Sequence, residues 1–281
     1  MDITNALKGG LIWYDVDNNT VVDTKPSSGE NYIYLGTLWI NPIVVNINNE
    51  CGFTLNGLPY NYQNNRWTNK IINCIGDSIT EGVACTKPYH KWLSQLCGFK
   101  TIRNYGVGGS TISRKTGDLP SWDKSAPFID RYSTMDDNAD VILIFGGVND
   151  WVAGRELGKI GDTADTTFYG ALKILLEGLK TKYPNKEICF ISPIQNNYRL
   201  RTPYGGNTDG TNIKGKTLLD YVNAIKEMCE IYSIPFKDMY HNCFYGLSET
   251  ENSIFMPDYL HPNDDGHKKM ACKIGNFLNS L

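Results

Sequence analysis

Three apolar runs constrain this chain more than anything else in it: IINCI at 71–75, VILIF at 141–145 and ICFI at 188–191. None alternates polar with apolar residues, as a strand with one wet face would. Continuous runs of this length suit strands covered on both sides, and such strands belong to parallel sheets flanked by helices. The segments between and after them carry the matching helical signal. Leu172, Leu175, Leu176 and Leu179 recur at i, i+3, i+4 and i+7, with Asp165 or Thr166 placed to cap the start. A second stripe runs through Leu218, Tyr221, Val222, Ile225, Cys229 and Tyr232. A third, after Gly266, carries Met270, Ile274, Phe277 and Leu278. Strands alternating with helices require parallel strands and right-handed crossovers, which predicts a three-layer α/β/α sandwich. In such sheets the ligand crevice lies beyond the carboxyl ends of the strands. Chemistry is therefore to be sought just after each apolar run.

Residues 1–66 lack that alternation. LIWYDVDNNTVVD reads as two short strands around an Asp/Asn turn, and YIYLGTLWINPIVVNIN as further aromatic and β-branched strands. A small β-rich appendage is expected over 1–66, followed by a larger domain over 67–281. Asp15, Asp17 and Asn19 imitate the opening of a calcium loop. Thr20 stands where that loop needs glycine and Pro26 where it needs a closing glutamate, so a hairpin turn is the better reading. Another irregular stretch, residues 195–216, is long and rich in Gly and Asn, the character of a lid or binding loop.

Composition excludes several roles. A net charge of −3 over 281 residues argues against nucleic acid or an anionic membrane as the main partner, since those call for a basic face. No apolar run approaches the roughly 20 residues that cross a bilayer. The opening MDITNALKGG lacks the basic and apolar regions of a signal peptide, so a cytoplasmic location is the default expectation, with a phage-tail or surface-associated protein as the alternative. Eight cysteines raise the question of disulfides or zinc, but no C-x-x-C pair occurs. Cys74 and Cys189 fall in predicted strands and Cys229 and Cys272 on predicted helices, as buried free thiols would.

Four polar clusters fall at strand ends or helix starts. The first is Gly76-Asp77-Ser78, directly after IINCI. A serine hydroxyl becomes a nucleophile when a base takes its proton; Asp and Ser at a strand end are also ordinary turn and cap residues. The second, from Asn104 to Thr111, is NYGVGGST. It lacks the lysine of a phosphate-binding loop and the spacing of G-x-G-x-x-G. Its glycines either free backbone N–H groups for a ligand or simply make a turn. In the third, GGVNDW, Asn149 either donates its amide into the crevice or closes an Asx turn. The fourth is Asp258-Tyr259-Leu260-His261. A carboxylate three residues ahead of a histidine can hold Nδ1 and leave Nε2 free as a base. His267 beside His261 raises a metal pair, but the sequence offers no third ligand, and a helix-start histidine is the simpler reading.

Taken together and in this order, GDSITEG, N-x-G-x-G-G-S-T, GVND and D-x-x-H resemble the four sequence blocks of the SGNH, or GDSL-type, serine hydrolases over residues 70–281. The resemblance implies a flavodoxin-like fold with a mostly parallel five-stranded sheet. It implies Ser78 as nucleophile, His261 as general base and acid, and Asp258 as the residue orienting His261. It further implies an oxyanion hole built from the N–H groups of Ser78 and Gly109 and the side chain of Asn149. Ser110 stands where the family often has aspartate, which leaves Gly106 or Gly108 as alternative donors. Neither metal nor organic cofactor is implied. Asp77, Trp151, Tyr198 and Arg199 are the candidates for lining the substrate.

The polar, aromatic character of 195–216, with Arg201 and Tyr204 beside Tyr198 and Arg199, suits a sugar bearing a short acyl group. An acetyl ester on carbohydrate is the expected substrate. The alternative within enzymes is a broad short-chain esterase or lysophospholipase-like acylhydrolase. From another class, a glycan-binding or adhesion module with an idle hydrolase fold is the rival reading, with residues 1–66 as a candidate contact for glycan or another subunit.

Overall fold

The computed structural model describes residues 66–115, 117, 123, 126–198, 210–246 and 248–281, together with the backbone of six strands that precede them. The chain divides into two compact units, Met1–Asn65 and Arg66–Leu281. In the first, β1 (Leu11–Asp15), β2 (Thr20–Val22) and β3 (Tyr32–Thr37) pair antiparallel in the order β2-β1-β3. A second antiparallel sheet holds β4 (Val45–Asn48), β5 (Gly52–Leu55) and β6 (Leu58–Pro59). Asp17, Asn19 and Pro26, on which the calcium-loop comparison turns, lie outside the described residues.

In the second unit the three apolar runs form the middle of a parallel sheet. The strands β7 (Ile71–Gly76), β8 (Thr101–Gly106), β9 (Val141–Phe145), β10 (Glu187–Ile191) and β11 (Phe236–Lys237) lie in the order β11-β10-β9-β7-β8. Every pairing is parallel. The helices are α1 (Ser78–Glu81), α2 (Tyr89–Cys97), α3 (Phe128–Arg131), α4 (Val148–Val152), α5 (Phe168–Lys182), α6 (Leu218–Ile231), α7 (Glu249–Phe255) and α8 (Asp264–Ser280).

Successive residues of the central strands feed two different cores. Ile142, Ile144, Ile188 and Phe190 join Leu172, Leu175, Leu176 and Leu179 of α5 and Tyr221 and Ile225 of α6. Val141, Leu143, Phe145, Cys189 and Ile191 join Tyr89 and Leu93 of α2 and Met270, Ile274 and Leu278 of α8. All five residues of β9 are fully buried, and each large apolar side chain so buried contributes about 1.5–3 kcal/mol. That is why VILIF is apolar throughout, and why β9 takes the centre of the sheet.

Element ends depart from the sequence reading in three places. Thr167, not Asp165 or Thr166, caps α5: its hydroxyl accepts from the Gly170 N–H at 3.2 Å. Asp165 is engaged instead by Arg114 Nε at 2.6 Å. Helix α8 starts two residues before Gly266, where Asn263 Oδ1 accepts from the Gly266 N–H at 3.0 Å. Strand β8 runs on to Gly106, so the first residues of the glycine cluster belong to the sheet.

Among the described residues the cysteines are free thiols, and Cys74, Cys97, Cys189, Cys229 and Cys243 are buried. No described helix is long and apolar enough to cross a membrane. Of the irregular stretch 195–216, only 195–198 and 210–216 are described. Asn212 fastens its far end, donating to Trp151 O at 3.1 Å and Tyr221 Oη at 3.0 Å.

Candidate active site

Strand β7 ends on Gly76 and the chain turns at once into α1, with Ser78 as its first residue. Asp77 caps that helix, its Oδ1 accepting from the Ile79 N–H at 3.0 Å, an arrangement worth about 0.5–2 kcal/mol. Burial pushes the Asp77 carboxyl up to about 7, against the Ile79 hydrogen bond and the charges of His261 and Arg131. Fully buried, Asp77 braces the turn and offers no surface to a substrate, contrary to its place among the expected lining residues. Gly106 passes so close to α1 that a Cβ there would lie 2.1 Å from the Glu81 nitrogen. Only glycine lets the second cluster approach the first.

Asp258 organises its own turn. Its Oδ1 accepts from the N–H groups of Leu260 (3.0 Å) and His261 (2.7 Å), and His261 Nδ1 donates to its Oδ2 at 2.6 Å. Tyr259 adopts a left-handed φ of 65° within it. Burial works to raise the Asp258 carboxyl, but the hydrogen bonds from the side chain and backbone of His261, its charge and the Leu260 N–H together hold it below the usual range. With the Nδ1 proton directed at a carboxylate, Nε2 carries the lone pair. It meets Ser78 Oγ at 2.8 Å across 183 residues of sequence.

Two further contacts hold the segment after this turn against residues 86–89. Asp264 accepts from Thr86 N–H (2.7 Å), Thr86 Oγ1 (2.8 Å) and Lys87 N–H (2.9 Å), bonds that hold its carboxyl below the ordinary value. His267 Nδ1 accepts from the Tyr89 N–H at 3.1 Å. Tyr89 Oη in turn meets Thr80 Oγ1 at 3.0 Å, and His90 Nε2 meets Thr80 O at the same distance. Burial lowers both His90 and His267 to about 4, so both are neutral at pH 7. His267 is thus engaged with α2, as a helix-start acceptor.

The hydrogen bonds of the expected oxyanion donors differ. Of the candidate glycines, Gly106 N–H donates to Asn104 Oδ1 (2.8 Å) and Gly108 N–H to Glu81 Oε2 (2.7 Å). Gly109, at φ 72°, has an N–H with no acceptor among the described residues. The Ser78 N–H is likewise unengaged there, as first-turn helix donors are. Asn149, on α4 just beyond β9, donates one amide hydrogen to Ser110 O at 2.9 Å. Its neighbour Asp150 clamps the loop from below, accepting from Ile112 N–H (2.8 Å), Ser113 N–H (3.0 Å) and Ser113 Oγ (2.6 Å). Burial raises that carboxyl to about 6 in spite of those bonds.

Behind the loop lies Arg131. Its Nη1 donates to Tyr105 O (2.6 Å), its Nη2 to Gly76 O (3.0 Å) and Ser110 Oγ (2.9 Å), and its Nε to Ala126 O (2.9 Å). Burial lowers it to about 10, which leaves it charged at pH 7. One guanidinium therefore fixes the ends of β7 and β8 relative to the loop that carries Gly109. Glu81 and Asp150 stand inside the motifs that mark the site. Arg131 and Asp264 carry no such signal, because their partners are main-chain groups and a hydroxyl from distant segments.

Trp151 and Tyr198, the remaining expected residues that are described, pack against the core. Trp151 is only 3% exposed, packs in the core under α5 and α6, and donates its indole N–H to Lys216 O at 3.2 Å. Tyr198 is half-buried against the same core. Arg199, Arg201 and Tyr204 lie outside the described residues. No group of His, Cys, Asp and Glu among the described residues is arranged to hold a metal ion.

Comparison with known proteins bears on the family and the fold. A crystal structure of a protein from Lactobacillus plantarum is 35% identical, with a TM-score of 0.67 over 76% of this chain and 98% of that one. An acetylxylan esterase of Xylanibacter ruminicola is 26% identical over 216 residues, 71% of this chain; the chain spans only 41% of that protein's length. An acetyl-xylooligosaccharide esterase from Geobacillus, 16% identical, shares the fold with a TM-score of 0.52 over 75% of this chain and 94% of that one. Residues 74–269, from the strand before Ser78 to the helix after His261, match the model of the GDSL-like lipase/acylhydrolase family, and the chain belongs to that family.

Proposed function

We propose that this protein is a serine esterase that removes acetyl groups from carbohydrate, with residues 67–281 as its catalytic domain and 1–66 as a β-rich appendage. The observation that carries the reading is the unbroken path from the Asp258 carboxylate through His261 to Ser78 Oγ, 2.6 Å and then 2.8 Å. Ser78 attacks the ester carbonyl while His261 Nε2 takes its proton, and Asp258 holds the imidazole in the required tautomer. Negative charge then develops on the carbonyl oxygen. The N–H groups of Ser78 and Gly109 and the Asn149 amide stabilise it, one such donor being worth about 3–4 kcal/mol. His261 returns the proton to the leaving alcohol, and water releases acetate by the same steps in reverse roles.

Likeness to the acetylxylan esterase supports acetyl on a glycan as the ester. Acetate release from a panel of acetylated glycans, run beside aryl esters of increasing acyl length, tests it. Release from glycan and a sharp fall beyond acetyl are expected. A rise toward octanoyl would favour a lysophospholipase-like acylhydrolase. Glycan binding without turnover of any ester would leave only an idle hydrolase fold.

A further inference from the structure

The carboxyl rim of the sheet carries a second Asp-x-x-His turn, at Asp238-Met239-Tyr240-His241, directly after β11. His241 Nδ1 donates to Asp238 Oδ2 at 2.7 Å, and the His241 N–H to Asp238 Oδ1 at 2.9 Å. No serine among the described residues is hydrogen-bonded to this imidazole. Its side chain is 54% exposed, and Nε2 has no hydrogen-bond partner among the described residues.

His241 opens on a cleft of about 490 Å³. Phe244, buried, forms part of its floor, while Gln195, Tyr240 and Asn242 line its sides. Tyr245, 64% exposed, stands at the mouth. Gln195 Oε1 accepts from the Gly246 N–H and Asn242 Nδ2 donates to Asp238 O, so the amide nitrogen of Gln195 and the amide oxygen of Asn242 are left for a ligand. No Lys or Arg lines the cleft among the described residues; Lys269 lies behind it, over the ring of Phe244. Neutral hydrogen-bonding groups set beside aromatic rings instead match a sugar, whose hydroxyls take the former and whose C–H faces pack on the latter.

We propose that this cleft binds a sugar unit of the glycan that Ser78 deacetylates. The proposal rests on the carbohydrate reading given above. Strand β11 lies three places from β7 in the sheet, about 14 Å at ordinary strand spacing. Both sites follow strand carboxyl ends, and a short oligosaccharide spans the distance between them. Asp238 is a positioning residue here: it holds the Nδ1 proton, so that Nε2 faces the cleft as an acceptor.

The test is acetate release from partly acetylated xylo-oligosaccharides of increasing length by the full wild-type chain, His241→Ala and Tyr245→Ala. Each protein is compared with its own rate on the shortest substrate, which removes any general loss of active enzyme. Wild-type kcat/KM is expected to rise with length, and each substitution to remove about tenfold of that rise, chiefly through KM. Variants that keep the wild-type length dependence would overturn the cleft while leaving the deacetylase reading intact. Aryl acetate turnover with no acetate released from any oligosaccharide would overturn both.

Discussion

Two turns in this molecule are built alike and placed differently. In Asp258–His261 and in Asp238–His241 the carboxylate takes the imidazole Nδ1 proton, at 2.6 and 2.7 Å, and the histidine's own N–H, at 2.7 and 2.9 Å. Yet His261 is 17% exposed with Ser78 Oγ before its Nε2, whereas His241 is 54% exposed and opens to a cleft. The local device needs only an acceptor side chain and a tight turn, and it fixes a tautomer wherever it forms. What sets a hydroxyl before one imidazole and not the other is supplied from elsewhere: the abrupt end of β7, and the contacts of Asp264 and His267 that hold the His261 segment against residues 86–89.

Removing the serine tests that contrast most severely. Ser78→Ala leaves His261 facing no nucleophile, as His241 does. Turnover of an aryl acetate is expected to fall by about 10⁶-fold, and His261→Ala to cost about as much, with the double variant little worse than either. Labelling by a fluorophosphonate should disappear with Ser78. Substantial turnover by a folded Ser78→Ala chain would break the assignment.

The next test substitutes the same residue in both turns. Asp258→Asn lets an amide stand where the carboxylate fixed the Nδ1 proton, and kcat is expected to fall by about 10⁴-fold. Asp238→Asn changes an imidazole with no serine before it. Its cost to aryl acetate turnover is expected to be less than about a hundredth of that factor. Equal costs at the two positions would show that the turns are not distinguished by Ser78.

Much of this was legible in the sequence, and for identifiable reasons. A strand buried on both faces must be apolar throughout, so VILIF and its two companions announced a covered parallel sheet. Ser78, Asn149 and the Asp258–His261 turn sit where strands end or helices begin, in short motifs whose members are neighbours in sequence. That the N–H groups of Gly106 and Gly108 are engaged by Asn104 and Glu81 was visible only in three dimensions. Arg131 and Asp264 were invisible, since neither binds a partner that a sequence pattern can name. Trp151 was misread because adjacency to Asn149 says nothing about which way a helical residue faces; the turn of α4 points its indole into the core. Thr167 was missed as a cap because the side chain that better suits the role, Asp165, is held by Arg114.

Asp264 offers a smaller test of how the base-bearing turn is held. Its carboxylate joins the segment just after His261 to Thr86 and Lys87, beyond the nucleophile helix. Asp264→Ala loosens that link without touching any reacting atom. A displacement of the imidazole by a fraction of its reach is expected to lower kcat by about ten- to a hundredfold, with KM less affected. The rate of fluorophosphonate labelling should fall in parallel, which a loss of folded protein alone would not produce. Unchanged labelling would mean that the Asp258 turn keeps its place unaided.

The smallest effect expected is on stability, and its sign can be worked out. His267, buried and lowered to about 4, stays neutral in the fold while accepting from the Tyr89 N–H. In the unfolded chain a histidine takes its proton near pH 6.5. The stability tied to neutral His267 is therefore complete above about pH 6.5 and is lost as pH falls from there toward about 4. Asp77 and Asp150 act in the opposite sense. Raised to about 7 and about 6, they keep protons in the fold that the unfolded chain releases at about pH 3.9, so their effect weakens the fold as pH rises from about 4 to about 7. A wild-type stability curve mixes these contributions, but its difference from that of His267→Asn isolates the histidine. The wild-type advantage in urea midpoint should be largest near about pH 7.5 and shrink steadily toward about pH 5. An advantage constant over that interval would mean that α8 does not dock on α2 through a neutral imidazole, and the contrast between the two turns would then rest on Ser78 and Asp264 alone.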